Sequence, residues 1–171
     1  AGEKLAIKQE DVRLDGWAIE ARVYAENPLR NFMPSTGRLT AYRPPLEDES
    51  FRVDTGVSEG GEISIHYDPM IAKVISYGDT RDAARARMSA ALDEFHIQGV
   101  GHNIGFLAAL MGHPRFKEGR LSTNFIAEEY PDGFRAQDLT PDDPKLLISV
   151  AACIHLAYQE RASMISGQIQ G

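Results

Sequence analysis

Trp17-Ala18-Ile19-Glu20-Ala21-Arg22-Val23-Tyr24 places Trp17, Ile19, Ala21 and Val23 on one side of an extended chain and Glu20 and Arg22 on the other. A period of two is the spacing of a strand with one face buried, so this stretch predicts an antiparallel sheet packed on a core. Asn27-Pro28 breaks the pattern. Downstream, Gly37–Tyr42 is a shorter strand candidate stopped by Pro44-Pro45. Phe51-Arg52-Val53-Asp54-Thr55-Gly56-Val57 alternates again, with Phe51, Val53, Thr55 and Val57 inward and Arg52 and Asp54 outward. Ser58-Glu59-Gly60-Gly61 reads as a hairpin turn, followed by Ile63 and Ile65 in alternation and a strand over Met70–Tyr77. Closely spaced strands without helices between them imply antiparallel pairing.

The second half changes period. Thr80 is an N-cap candidate with Asp82 in the first turn, and Ala84, Met88, Ala91, Leu92 and Phe95 follow at helical spacing up to Gly99. A helix is expected from about Asn103 through Leu110 and a short one near Ser122 or Thr123, before the turn Pro131-Asp132-Gly133. Ala136–Thr140 reads as a linker. Beyond it Pro141 or Pro144 opens a long helix with a stripe of Leu147, Val150, Ile154, Ala157, Arg161 and Ile165. The expected fold class is α+β, an antiparallel sheet followed by packed helices and a long C-terminal helix.

Composition narrows the function classes. The 171 residues carry a net charge of −7, which argues against a nucleic-acid or anionic-membrane surface as the main partner. One cysteine, Cys153, permits no disulfide framework and suits a reducing compartment. No run approaches about 18 consecutive apolar residues, and no signal peptide opens the chain. Ala1-Gly2-Glu3-Lys4 lacks an initiator Met and Ile169-Gln170-Gly171 follows a helix without a stop signal, so both ends read as cut.

Chemistry alone singles out Arg52, a fixed cation on the polar face of a strand, whose guanidinium fork suits carboxylate, carbonate or phosphate. The competing reading is a surface ion pair with Asp54, two residues along on the same face. His66-Tyr67-Asp68 reads as a turn with Asp68 capping and Pro69 fixing the bend. His96, His102, His113 and His155 are scattered, and His102 suits a local capping role. No metal set is apparent, and Cys153 has no nucleophilic partner.

Several stretches resemble one family. Gly16–Pro28 resembles the G-[HW]-A-[IFV]-E-x-R-x-x-A-E-[DN]-P segment of biotin carboxylases, and Pro34–Leu39 their P-S-x-G-x-[LI] run. Arg52–Gly56 with Ile65–Lys73 resembles R-V-D-x-G and Y-Y-D-P-M-I-[AS]-K. Gly101–Ile104 and Ser122–Ile126 resemble the closing helices. The similarity spans residues 1–134 and assigns them to a biotin carboxylase C-terminal domain. Residues 135–171 then read as a linker and the first helix of a subunit-contact domain, similar to that of propionyl-CoA carboxylase α subunits within the family.

The resemblance implies an ATP-grasp ligase that uses ATP, Mg2+ or Mn2+, and bicarbonate to carboxylate biotin. Its partners would be a carboxyltransferase β subunit and a biotin carrier domain, in a bacterial cytoplasm or a mitochondrial matrix. It implies that Arg52 holds the biotin enolate and bicarbonate, and that Phe125 packs near the adenine. The fragment alone is expected to be inactive. Acetyl-CoA, methylcrotonyl-CoA and pyruvate carboxylases, and a non-catalytic interaction scaffold, remain alternatives. His66 stands where the family usually has Tyr, and the acidic loop Leu46–Ser50 is short.

Overall fold

The computed structural model describes residues 2–64, 66–139 and 144–164, so Ile65, Thr140, Pro141, Ile165 and the outermost ends lie outside the described residues. The chain divides into two compact units, Ala1–Arg135 and Ala136–Gly171.

In the first unit the strands are β1 (Trp17–Tyr24), β2 (Glu26–Asn27), β3 (Met33–Pro34), β4 (Gly37–Arg38), β5 (Ala41–Arg43), β6 (Phe51–Thr55), β7 (Glu62–Ile63), β8 (Met70–Gly78) and β9 (His96–Gln98). Its helices are α1 (Arg81–Glu94), α2 (Ile104–Gly112), α3 (Pro114–Lys117) and α4 (Phe125–Glu129). Every described strand pair is antiparallel. The main sheet has the order β1-β8-β6, flanked by two-stranded pairings β2-β3, β4-β7 and β5-β9.

Register decides the faces. Ile19↔Ser76↔Phe51, Ala21↔Val74↔Val53 and Val23↔Ala72↔Thr55 line up across the sheet. Val23, Val74 and Ser76 are fully buried on this face, which packs under α1 through Ala84, Met88, Ala91 and Leu92. Full burial of Met88 or Leu92 contributes on the order of 1.5–3 kcal/mol each. The Ser76 hydroxyl donates to the Ala84 carbonyl at 2.8 Å, which lets a polar side chain sit in the core without penalty. Between Val23 and Tyr24 the register slips, because Tyr24 pairs with Met70 and skips Ile71. That bulge puts two successive residues, Ile71 and Ala72, into the core.

Some expectations need correction. Trp17, at the strand's start, is 55% exposed rather than inward. The Gly37–Tyr42 run divides into β4 and β5, which pair with β7 and β9 rather than forming one strand. Ser58–Gly61 does turn, with the Gly61 N–H on the Ser58 carbonyl at 3.0 Å, but it is no hairpin, since β7 pairs with β4 and not with β6. Gly99 does not end α1: that helix stops at Glu94, and β9 intervenes, turning Ile97 inward. Ala136–Leu139, expected as linker, forms a 3-10 turn.

In the second unit α5 (Pro144–Ser163) opens on Pro144, and Leu147, Val150 and Ile154 are all exposed along it. No described helix is long and apolar enough to cross a membrane.

The Thr80 hydroxyl accepts from the Ala83 N–H at 3.1 Å, so Thr80→Ala is expected to lower stability by about 1 kcal/mol. Gly99 has φ +102°, and a Cβ there would lie 2.0 Å from the Arg38 carbonyl oxygen. Gly99→Ala should therefore cost more than Thr80→Ala in a urea titration; a smaller shift in midpoint would show that β4 and β9 have room to part.

Candidate functional site

The outer face of the main sheet follows from the same register as the core. Glu20↔Ile75↔Arg52 and Arg22↔Lys73↔Asp54 form two transverse rows, so three cations and two carboxylates from three strands share one surface. No helix of the first unit covers the side chains of Glu20, Arg22, Arg52 or Asp54, all of which are exposed.

Arg52 lies at the start of β6 with its side chain 65% exposed, and it grips Asp54 twice, Nε to Oδ1 at 3.0 Å and Nη2 to Oδ2 at 3.1 Å. The fork is thus engaged within its own strand, in the surface-pair arrangement that chemistry alone favours. Arg22 differs. Its salt bridge to Glu20 runs through Nε, at 3.1 Å. The hydrogen bond that Arg22 donates to Glu20, and after it a side-chain hydrogen bond with Tyr24, hold its guanidinium above its ordinary pKa. Sequence reasoning passed over Arg22 and Lys73, because a lone alternation of Glu and Arg reads as a solvated strand face. Only the pairing of β1 with β8 brings Arg22 opposite Lys73.

Phe125 belongs to a different place. It opens α4, is 6% exposed, and packs against the His113 ring at 5.1 Å and beneath the Arg115 guanidinium at 5.1 Å. His113 caps α3, with Nδ1 accepting the Arg115 N–H at 3.2 Å, so its other nitrogen carries the hydrogen facing Glu129 at 3.1 Å. The Arg115 guanidinium bonds to Glu129 at 2.5 Å and holds that carboxyl below the usual range. Ile126, half-exposed, turns instead into an aromatic cleft of about 450 Å³ with Phe32, Phe106, Tyr130 and Phe134. Phe32 borders it at φ 57°, a left-handed backbone uncommon for a bulky residue. Arg52 and Phe125 are therefore not neighbours: one stands on the open sheet, the other in the packing of α2, α3 and α4.

The remaining sequence candidates are structural. Asp68 Oδ1 accepts the Met70 N–H at 3.2 Å, fixing the turn into β8. His102 does not cap α2, whose N-cap is Asn103; its Nδ1 is buried without a hydrogen-bond partner. Cys153 is exposed on α5. Among the described residues no three or more His, Cys, Asp or Glu side chains are grouped to hold a metal ion.

Residues 20–128 match the family model described as the biotin carboxylase C-terminal domain. The chain is 47% identical to the propionyl-CoA carboxylase alpha chain of Ruegeria pomeroyi, over 99% of this chain and 28% of that protein. It is 44% identical to the mitochondrial methylcrotonoyl-CoA carboxylase subunit alpha of Mus musculus, over 77% of this chain and 18% of that one. The biotin carboxylase domain of Hydrogenobacter thermophilus 2-oxoglutarate carboxylase, solved as a dimer with MgADP, ADP and bicarbonate, superposes with a TM-score of 0.73. The two are 34% identical, over 83% of this chain and 30% of that one. The chain thus spans less than a third of the length of each of these relatives.

Burial holds the His102 imidazole below its ordinary pKa, so the unfolded chain takes up the proton first. The contribution of neutral His102 is complete above about pH 6.5 and is lost as pH falls below it. Thermal melts of the chain should show a falling midpoint from pH 7 to 5, and His102→Gln should flatten that fall. An unchanged slope in the variant would assign the acid sensitivity elsewhere.

Proposed function

The chain belongs to the biotin carboxylase C-terminal domain family, and from that premise we propose that it is the closing part of the biotin carboxylase component of a propionyl-CoA carboxylase α subunit. Under this reading the parent enzyme uses ATP and bicarbonate to carboxylate biotin, and the carboxyl group then passes to propionyl-CoA. ATP with Mg2+ or Mn2+ supplies the activation of bicarbonate; no residue of this chain is assigned to the metal. The propionyl-CoA reading rests on the extent of similarity: the Ruegeria pomeroyi protein aligns over nearly the whole chain, the methylcrotonoyl-CoA carboxylase subunit over a smaller share.

One observation supports the site above others, the open sheet face on which Arg22, Lys73 and Arg52 converge across three strands. Bicarbonate is an anion, and negative charge grows on the ureido oxygen of biotin as its N1 loses a proton. Guanidinium groups preorganised beside that oxygen act as oxyanion-hole donors, because they are already oriented when the charge develops. Arg22 is the stronger candidate, since it lies directly across from Lys73 in the sheet register, while Asp54 holds Arg52 along its Nε–Nη2 edge. Arg52 contributes the second cation of the face, and Asp54 competes with the substrate anion for it. Phe125 buttresses the α4 turn near the adenine, and Ile126 beside it offers the exposed apolar surface.

The boundary we propose runs between residues 134 and 135, with residues 135–171 leading into the domain that meets the carboxyltransferase β subunit. Leu146, Leu147, Ile148 and Leu156 are exposed on α5, as suits a helix made to be covered by other chain. The biotin carrier domain would approach the sheet face. The compartment follows from the relatives, a bacterial cytoplasm or a mitochondrial matrix.

In the full-length enzyme, Arg22→Ala is expected to lower biotin carboxylation by about 10²–10³-fold. Arg52→Ala should lower it by about tenfold, with ATP affinity nearly intact in both variants. Loss of ATP binding in step with carboxylation, or full activity in both variants, would contradict the assignment.

A further inference from the structure

The open edge of β1 carries an unusual closure. In the main sheet β8 takes up one edge of β1, which leaves the N–H and C=O groups of residues 20, 22 and 24 pointing the other way. Among the described residues no strand pairs there. Instead the side-chain amide of Asn103, from the loop before α2, does the work of a neighbouring peptide: Nδ2 donates to the Arg22 carbonyl at 3.1 Å, and Oδ1 accepts the Tyr24 N–H at 2.9 Å. The Asn103 backbone N–H completes the clasp on the Tyr24 carbonyl at 3.2 Å. Asn103 is 6% exposed, one of two buried polar residues among those described, the other being Ser76.

The clasp is tied in from both sides. The preceding Gly101 N–H donates to Ser35 Oγ at 2.8 Å, and the Ser35 N–H reaches the Ala25 carbonyl at 2.8 Å, so the loop grips the chain just past β1 as well. It closes on the point where the β1–β8 register slips, between Val23 and Tyr24. A bulge bends a strand and re-aims the side chains beside it, and the clasp holds the backbone on both sides of that bend.

We propose that Asn103 is a positioning residue for the anion site: by holding the Arg22 carbonyl and the Tyr24 N–H, it sets the direction in which Arg22 leaves β1 toward the face it shares with Lys73 and Arg52. Asn103 touches no substrate; it acts through Arg22. Neither a carboxylate nor an aliphatic side chain of the same size reproduces the clasp, because it needs one donor and one acceptor on a planar group. The inference rests on the reading of Arg22 as the principal anion-binding cation.

The test is a double-mutant cycle in the full-length enzyme, with bicarbonate varied and bicarbonate-dependent ATP cleavage measured in wild type, Asn103→Leu, Arg22→Ala and the double variant. Asn103→Leu is expected to lower kcat/KM for bicarbonate by about tenfold to a hundredfold, the range for a small misplacement of a positioning group. In the Arg22→Ala background the same change should add less than about twofold, since the group it positions is gone. An equal loss in both backgrounds, or no loss where Arg22→Ala alone shows one, overturns the proposal and leaves the site reading standing. No loss on Arg22→Ala overturns the site reading, and the proposal with it. If Asn103→Leu does not fold, Asn103→Asp carries the same cycle with the same outcomes, because it keeps the acceptor for Tyr24 and replaces the donor to Arg22 with an oxygen that the carbonyl repels.

Discussion

The antiparallel pairing of β1 with β8 is the constraint on which the rest depends. Because side chains alternate strictly along a strand, one register assigns every residue of both strands to a face. Here it sends Ala21, Val23, Val74 and Ser76 under α1, and it sends Glu20, Arg22, Lys73 and Ile75 outward. A shift of one residue would bury Arg22 against Met88 and Leu92, at a desolvation cost of several kcal/mol or more for an unpaired charge. The core and the charged face are therefore one decision. The slip opposite Ile71 is the exception, and it occurs where the chain leaves the sheet.

Electrostatics on the outer face are nearly balanced within the chain. Glu20 offsets Arg22 and Asp54 offsets Arg52. Such exposed pairs contribute little to stability. Their value is that they hold long side chains in one orientation. The two pairs are not alike: Asp54 occupies Nε and Nη2 of its arginine, whereas Glu20 holds its partner through Nε. The polar cluster of His113, Arg115, Glu128 and Glu129 is a separate device, which fastens α3 to α4 around the Phe125 ring.

The strand period and the helical period were both readable from the residues, and so were the Thr80 cap and the Asp68 turn. What pattern could not reveal is partnership. Nothing in Gly37–Tyr42 says that its two halves pair with strands on different sides, and nothing in His96-Ile97-Gln98 separates a short strand from a helix end. The site suffered from the same blindness. Arg52 stood out as a fixed cation on the polar face of a strand, yet Arg22, one of the most regular residues in the opening stretch, became a candidate only once Lys73 lay across from it. Asn103 looked like a helix start; its side chain instead spends itself on a strand about 80 residues away, a contact that no local rule anticipates.

The most direct measurement is a structure of the full-length enzyme with bicarbonate and a biotin analogue bound. The account predicts the anion on the outer face of the β1-β8-β6 sheet, with an Arg22 nitrogen about 2.7–2.9 Å from one of its oxygens, as charge-assisted hydrogen bonds require. Bicarbonate bound away from that face, with Arg22 still paired to Glu20, would contradict it.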